Sequence, residues 1–159
     1  MPDWQRVKVL FCDVDGVLTD GGLYFGPQGQ VFKRFNVLDG LGIRRLVASG
    51  VRVVFITGDD TDIVPERARR LDVEEVYTCC EDKAAVVRDV LARCGLGREE
   101  ACYMGDDVLD VPAMELVGVA VAVPNAHASA LAAAAYVTEK PGGYGAVREV
   151  CDLIMAAQA

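Results

Sequence analysis

The chain has 159 residues, of which 52% are apolar and 25% are charged, and its formal net charge is -8. These values are typical of globular domains, so we expect one domain with a packed core over residues 1–159 and exclude disorder. The acidic balance and the lack of a basic tract argue against binding to nucleic acid. Because no apolar run has the length of a membrane span and residues 1–6 lack a signal-peptide layout, we expect no membrane association and a cytoplasmic location.

The six cysteines show no CxxC spacing, and Cys12 and Cys102 fall in predicted strands. We interpret them as reduced thiols of the core rather than as metal ligands or disulfide partners.

The first predicted element is a buried strand that begins at Val7 and ends in carboxylates. Asp13 and Asp15 close this run and Gly16 follows. Ligands of open α/β sheets bind at the carboxyl ends of the strands. Side chains two residues apart on a strand point the same way, so both acids could serve one cavity. Two close carboxylates repel each other, and the site therefore needs a cation or a proton.

A β-hairpin and then alternating strands and helices follow this strand. Two aromatic-rich segments, at residues 23–26 and 30–35, predict the hairpin. Further strands are predicted at 51–58, 75–78, 101–104, 119–123 and 136–138, and helices at 39–50, 60–71, 81–94, 109–117, 130–135 and 146–156. The helix at 39–50 is expected to open with Asp39. This alternation predicts an α/β fold, with a mostly parallel sheet covered by helices on both faces.

Polar groups stand at the ends of further predicted strands and at the start of one helix. Thr57-Gly58 ends one predicted strand, Asp106-Asp107 follows another, and Lys83 opens the helix between them. Each pattern alone has an ordinary structural explanation, as a turn, a helix cap or a solvated lysine. Their occurrence together favours a catalytic site.

The residue types meet the needs of phosphate monoester hydrolysis, which are a nucleophile, a proton donor and positive charge on the phosphoryl oxygens. Asp13 is suited to attack phosphorus and form an aspartyl phosphate, and Asp15 to act as general acid and then base. Asp13 and Asp106 supply oxygen ligands of the kind that Mg²⁺ prefers. Lys83, the Thr57 hydroxyl and amides near Gly16 and Gly58 are suited to bind phosphate.

Four segments resemble the motifs of the haloacid dehalogenase (HAD) superfamily: Asp13-Val-Asp15-Gly-Val-Leu-Thr19, Thr57-Gly58, Lys83, and Gly105-Asp106-Asp107-Val-Leu-Asp110. A closer resemblance is to the 3-deoxy-D-manno-octulosonate 8-phosphate (KDO 8-phosphate) phosphatase family. It rests on the first of these segments, on Phe35-Asn-Val-Leu-Asp39-Gly-Leu-Gly-Ile43 and on Gly143-Tyr-Gly-Ala-Val-Arg148-Glu149. The resemblance implies a Rossmann-like HAD fold and a cytoplasmic, Mg²⁺-dependent, tetrameric phosphatase of a phosphorylated sugar acid.

The resemblance also implies roles for individual residues. Asp13 would be the nucleophile and Asp15 the acid/base, with Thr57 and Lys83 on the phosphate. Mg²⁺ would be held by Asp13, the Asp15 carbonyl and Asp106. Asp107 and Asp110 would be supporting residues.

The spacing of the motifs leaves no room for a cap domain, because the hairpin and one helix fill the interval between Asp15 and Thr57. An uncapped site is open to water, so another element should cover it. In the resembled family, hairpins assemble the tetramer and a neighbouring subunit closes the site. The apolar hairpin of residues 23–35 suits that role. The alternative, that the hairpin packs on its own domain, stays open.

Some residues depart from the KDO 8-phosphate pattern. Asp59 and Tyr144 stand where those phosphatases commonly have arginine. Asp59 with Arg70 resembles relatives that act on nonulosonate 9-phosphates such as KDN 9-phosphate, and Arg67 matches a basic position of both groups that could reach a carboxylate, also across a subunit boundary. Both arginines could instead be surface residues that balance Glu66 and Asp62. The sugar therefore stays open.

Three functional hypotheses follow. The favoured one is a Mg²⁺-dependent sugar-acid phosphatase, or a HAD phosphatase of another small metabolite. The second is a signalling receiver domain, although its acids usually stand adjacent after the first strand and its phosphorylated Asp on a middle strand. The third is a catalytically silent relative kept as an oligomerisation module.

Overall fold

The computed structural model describes residues 2–159, and its centre is a six-stranded parallel sheet. The strands are β1 (Val9–Asp13), β4 (Arg52–Ile56), β5 (Glu75–Tyr77), β6 (Ala101–Gly105), β7 (Val119–Ala122) and β8 (Tyr136–Val137). Their order is β5-β4-β1-β6-β7-β8, and every neighbouring pair is parallel. β2 and β3 form a separate two-stranded sheet. The carboxyl ends of β4, β1 and β6 therefore lie side by side.

In the described residues, six α-helices cover the two faces of the sheet: α1 (Val37–Ala48), α2 (Ile63–Arg70), α3 (Lys83–Cys94), α4 (Val111–Met114), α5 (Ala128–Ala133) and α6 (Ala146–Ala157). The core on one face contains buried residues of α1, α2 and α6, and the core on the other contains residues of α3, α4 and α5. The four inner strands β4, β1, β6 and β7 read as nearly continuous apolar runs because both of their faces are buried, whereas the edge strands β5 and β8 are only partly buried. The predicted α/β fold class is confirmed. Within residues 2–159, no helix is both long and apolar enough to cross a membrane.

The predicted hairpin is formed by β2 (Tyr24–Gly26) and β3 (Gly29–Phe32), which pair with each other and not with the main sheet. An isolated bridge between Thr19 and Phe35 joins its base to the turn after β1. Phe35 packs on the core, whereas Phe25 and Phe32 are 67% and 68% exposed. Between Asp15 and Thr57, hairpin, α1 and β4 are the only strands and α-helices, and no cap domain is present.

Most helix boundaries differ from the prediction by about one to three residues, and two of the differences have a clear physical cause. α1 begins at Val37, because the Asn36 side chain accepts a hydrogen bond from the Leu38 amide at 2.8 Å and caps the helix. Asp39 does not open this helix; it is buried and accepts a hydrogen bond from the Arg148 amide in the first turn of α6 at 2.8 Å. The helix predicted at 109–117 contracts to α4, because the side chain of Asp110 binds the amides before it and holds residues 106–110 in a turn.

Candidate active site

A cavity of about 530 Å³ opens where the carboxyl ends of β1, β4 and β6 meet. The order of the strands in the sheet puts these ends together, because β1 lies between β4 and β6. The cavity is lined by most of the residues singled out in the sequence, namely Asp13, Asp15, Gly58, Asp59, Lys83, Asp106, Asp107 and Asp110. It also contains Lys33 and Leu23 from the hairpin, which the motif analysis did not include.

Lys83 and Asp13 form a buried ion pair at the floor of this cavity. The Lys83 Nζ lies 2.6 Å from Asp13 Oδ1 and 2.7 Å from Asp110 Oδ1. Burial acts to lower the pKa of Lys83, but the two carboxylates outweigh it and raise the pKa above its ordinary value. Burial raises the pKa of Asp13, and the charge of Asp110 adds to this effect while Lys83 opposes it. The site thus contains a fixed ammonium directly beside the predicted nucleophile.

Asp110 organises the floor of the site through hydrogen bonds to both of its carboxylate oxygens. Its Oδ1 accepts from Lys83 and, at 2.8 Å, from the hydroxyl of Tyr103. Its Oδ2 accepts from the amides of Asp106 and Asp107 at 3.0 and 3.1 Å. These contacts fit the supporting role that the sequence indicated for Asp110. Tyr103 was not predicted, because an apolar-looking position inside β6 gives no sign that its hydroxyl reaches a carboxylate.

Asp13, Asp106 and Asp110 form a compact cluster of acids that suits a divalent cation. One oxygen from each carboxylate lies within 4.8 Å of the others. Burial raises the pKa of Asp106 to about 6, and the neighbouring acids add to the effect. Hard oxygen donors at this density are the ligands that Mg²⁺ prefers. Because Asp110 already accepts four hydrogen bonds, Asp13 and Asp106 are the side chains best placed to hold the ion.

Gly16 allows Asp106 to approach the turn that follows β1. Its φ is +92°, and a Cβ at this position would lie 1.9 Å from Asp106 Oδ2. The Gly16 amide donates to the Thr19 hydroxyl at 3.2 Å, so this amide holds the turn. Gly16 therefore serves close packing against Asp106, in addition to the predicted role of amides near it in binding phosphate.

Asp15 lies at the side of the cavity with both carboxylate oxygens engaged. Its Oδ2 accepts from the Thr57 hydroxyl at a long 3.4 Å, and its Oδ1 lies 2.6 Å from the Nζ of Lys33. The Lys33 side chain is only 1% exposed, and its Nζ also lies 3.4 Å from Asp59 Oδ2. Motif reasoning missed Lys33 because it stands just beyond β3, in a hairpin with no other catalytic signature. The only available signal was a lysine between the aromatic residues of that hairpin.

Asp59 also lines the cavity, beside Gly58 and Thr57. Burial acts to raise the pKa of Asp59, but a hydrogen bond from the Thr61 hydroxyl and the charge of Lys33 outweigh it and leave the pKa below its ordinary value. The Asp59 amide donates to the Thr57 hydroxyl oxygen at 3.0 Å. The segment 57–59 is thus a fixed wall of the site with an ionised carboxylate.

Arg67 and Arg70 lie outside the cavity that contains Asp13. They line a separate hollow of about 280 Å³ between the hairpin and α2. Arg70 Nε pairs with Glu66 Oε1 at 2.7 Å, as in the surface interpretation. Arg67 donates to the Asn36 carbonyl at 3.2 Å, and its guanidinium lies 5.3 Å from the centre of the Phe35 ring. Lys33 lines both hollows and stands between them.

Comparison with known proteins finds phosphatases and hydrolases of one family that are similar to this chain. Residues 73–148 match the family model of the haloacid dehalogenase-like hydrolases. The chain is 46% identical over 153 residues to the KDO 8-phosphate phosphatase KdsC of Yersinia pestis, covering 96% of this chain and 82% of that protein.

Solved structures of related proteins have the same fold. The KDO 8-phosphate phosphatase of Moraxella catarrhalis, determined with a magnesium ion, a phosphate ion and KDO, is 36% identical and superposes with a TM-score of 0.95, covering 98% of this chain and 90% of that one. The cobalt-bound phosphatase of Haemophilus influenzae is 35% identical with a TM-score of 0.94, covering 98% and 91%.

Proposed function

Because this chain belongs to the KDO 8-phosphate phosphatases of the HAD superfamily, we propose that it hydrolyses the phosphate monoester of KDO 8-phosphate. The observation that carries the proposal is the buried contact between Lys83 and Asp13 at the end of β1, with Asp106 beside it. The receiver-domain hypothesis is wrong, because the chain belongs to a phosphatase family and β4 is followed by Thr57-Gly58 instead of ending in an acceptor aspartate.

In the proposed reaction, Asp13 attacks phosphorus and forms an aspartyl phosphate while the bond to the sugar oxygen breaks. Asp15 gives its proton to that oxygen, so the sugar leaves as an alcohol. Asp15 then accepts a proton from the water that hydrolyses the aspartyl phosphate. Lys83 and the Thr57 hydroxyl hold the phosphoryl oxygens, for which the fixed charge of Lys83 is already in place.

The resident metal of this proposal is Mg²⁺, held by the carboxylates of Asp13 and Asp106 and by the main-chain carbonyl of Asp15. The acid cluster and its oxygen donors support this assignment, and two related structures were determined with magnesium and with cobalt bound. When bound, the ion supplies positive charge that neutralises the phosphoryl oxygens and the neighbouring acids.

The proposal also covers the organisation of the protein. Residues 1–159 form one HAD-like domain in this proposal. The exposed hairpin assembles a homotetramer in which a neighbouring subunit covers the open site. The exposure of Leu23, Phe25 and Phe32 supports this role, since an apolar two-stranded hairpin is a poor surface for water. All six cysteines are unpaired in the described residues, which supports a cytoplasmic location.

The second candidate substrate is a nonulosonate 9-phosphate such as KDN 9-phosphate. It is favoured by one observation: Asp59, which replaces the usual arginine, lines the cavity and is held there by Lys33. Arg67 and Arg70 would take part in binding the sugar carboxylate, within one chain or across a subunit boundary. Because they line a hollow separate from the catalytic cavity, binding across a subunit boundary is compatible with their position.

The test is phosphate release from KDO 8-phosphate, KDN 9-phosphate and glucose 6-phosphate, each with Mg²⁺ and with a chelator. We expect KDO 8-phosphate to be the preferred substrate and chelation to remove the activity. A preference for KDN 9-phosphate would move the assignment to the second candidate. Equal, feeble rates on all three would contradict a sugar-acid substrate, and no activity would favour the silent oligomerisation module.

A further inference from the structure

Lys33 is the least exposed charged side chain of the hairpin and reaches from it into the catalytic cavity. The residues around it on the hairpin, Val31 and Phe32, are exposed, whereas the Lys33 side chain is 1% exposed. A buried ammonium costs several kcal/mol unless it is paired in good geometry. Its partners here are the carboxylates of Asp15 at 2.6 Å and Asp59 at 3.4 Å. The position of Lys33 is therefore set by the site and not by the hairpin alone.

Asp15 depends on this contact for its orientation. It sits in the turn after β1, and its side chain is 36% exposed. Within residues 2–159, Lys33 is the only cation within 4.0 Å of its carboxylate, and the other side-chain contact is the long one to Thr57. A carboxyl group that delivers a proton to a leaving oxygen, and then as a carboxylate takes one from water, has to be held in one direction. Lys33 supplies the short, charge-assisted contact that does this.

We propose that Lys33 is a positioning residue for the acid/base Asp15: its ammonium holds the carboxylate toward the leaving-group oxygen and thereby couples the hairpin to proton transfer. The inference rests on the proposed function and deepens it. It makes the catalytic geometry depend on an element that lies outside the main sheet. Any displacement of the hairpin would carry the ammonium away from Asp15.

The role has a signature that a purely structural lysine does not have. Proton donation matters when the leaving oxygen is a poor leaving group and matters little when it departs as a stable anion. Phenyl phosphate and 4-nitrophenyl phosphate have similar size and differ mainly in this respect. A residue that acts through Asp15 should affect the first ester much more than the second, whereas a residue that binds phosphate or stabilises the fold should affect both equally.

The experiment measures kcat/KM for both esters and for KDO 8-phosphate with the Mg²⁺-loaded full chain. We expect Lys33→Met to lower the value by about tenfold or more for phenyl phosphate and KDO 8-phosphate, and by less than about threefold for 4-nitrophenyl phosphate. Asp15→Asn should also lose more activity on phenyl phosphate and KDO 8-phosphate than on 4-nitrophenyl phosphate. Adding Lys33→Met to Asp15→Asn should have no further effect, because the two residues act as one unit. Lys8→Met, which removes an exposed lysine before β1, is the matched charge control.

The remaining outcomes contradict the inference. Equal losses on both aryl esters would assign Lys33 to phosphate binding or to the fold, and a loss on KDO 8-phosphate alone would assign it to the sugar. Full activity of Lys33→Met would also overturn it. If Lys33→Met does not fold, Lys33→Arg keeps the charge but changes its reach, and its loss should again be greater for phenyl phosphate. Failure of the parent protein to hydrolyse any ester would instead overturn the proposed function and, with it, this inference.

Discussion

Asp106 is a carboxylate of the site whose pKa is raised toward neutral pH. Burial and the neighbouring acids raise its pKa to about 6 in the metal-free site. A protonated carboxylate is a poor metal ligand, so protons and Mg²⁺ compete for this position. We expect Mg²⁺ affinity, measured by titration calorimetry, to be full well above about pH 6 and to fall as the pH is lowered through that value.

The control for this prediction is Asp106→Asn, which removes the titrating group at constant volume. It should bind Mg²⁺ weakly and lose most of the pH dependence in this range. An affinity of the parent protein that stays constant from about pH 7.5 to about pH 5 would contradict the prediction.

At the scale of single residues, the sequence predicts the groups that stand at strand ends and misses those that arrive from elsewhere. Asp13, Asp106 and Thr57 lie together because parallel strands end at one edge. Lys33 reaches the same place only because the hairpin folds back over the turn, which depends on tertiary packing and has no local signal. The roles of the predicted residues, including those of Arg67 and Arg70 in the sugar site, stay predictions.

The loop before α6 supports the turn that follows β1. The Gly143 amide donates to the Val17 carbonyl at 3.0 Å, and a Cβ on Gly142 would lie 1.7 Å from the Gly16 carbonyl oxygen. Gly142→Ala should therefore displace the turn, cost about 2–3 kcal/mol of unfolding free energy and lower kcat. Urea unfolding and phosphate release measure the two effects.

A matched glycine separates this clash from backbone strain. Gly50 has φ +94° with nothing within 4 Å of the added Cβ, so Gly50→Ala should cost only about 1–2 kcal/mol and leave kcat unchanged. The interpretation fails if Gly142→Ala is no more damaging than Gly50→Ala in both measurements.

The hairpin carries the prediction about assembly. Phe25 and Phe32 are exposed in the single chain, so replacing both by serine removes apolar surface without creating a cavity. We expect the double variant Phe25→Ser/Phe32→Ser to sediment as a smaller species than the proposed tetramer of the parent protein and to retain its helical content. Gln28→Glu, at the exposed tip of the hairpin, should leave the assembly intact. A parent protein that is monomeric at micromolar concentration, or a double variant of unchanged mass, would contradict the assembly role.

The elements themselves were largely predictable, and the exceptions have physical causes. Alternating apolar segments and turns located each strand and helix, since buried parallel strands are apolar throughout. The start of α1 was misassigned because Asp39 resembles a residue that opens a helix, whereas it lies inside the first turn and accepts a hydrogen bond from the distant Arg148 amide. Such a contact joins two helices far apart in sequence and leaves no periodic pattern.

Across the whole molecule, the cysteines differ in burial: Cys12, Cys102 and Cys151 are buried, Cys80 and Cys94 are partly buried, and Cys79 is exposed. Burial raises the pKa of Cys12, Cys102 and Cys151, which lie in the core. The thiolate is the reactive form, so these three should react with a disulfide reagent only after unfolding, while the exposed Cys79 reacts in the native state. Counting modified thiols with and without denaturant by mass spectrometry tests this. Cys79→Ala should abolish the fastest native reaction, and rapid native modification of the core thiols would contradict the described packing.

The most direct test of the aspartyl-phosphate mechanism compares phosphate release from KDO 8-phosphate by the parent protein and by Asp13→Asn at saturating Mg²⁺. The variant removes the nucleophile, keeps the side-chain volume and leaves an oxygen for Lys83. We predict that the variant folds with a similar melting temperature and loses at least about a thousandfold in kcat, as for other removed nucleophiles. Turnover by Asp13→Asn at the parent rate would contradict the proposed mechanism.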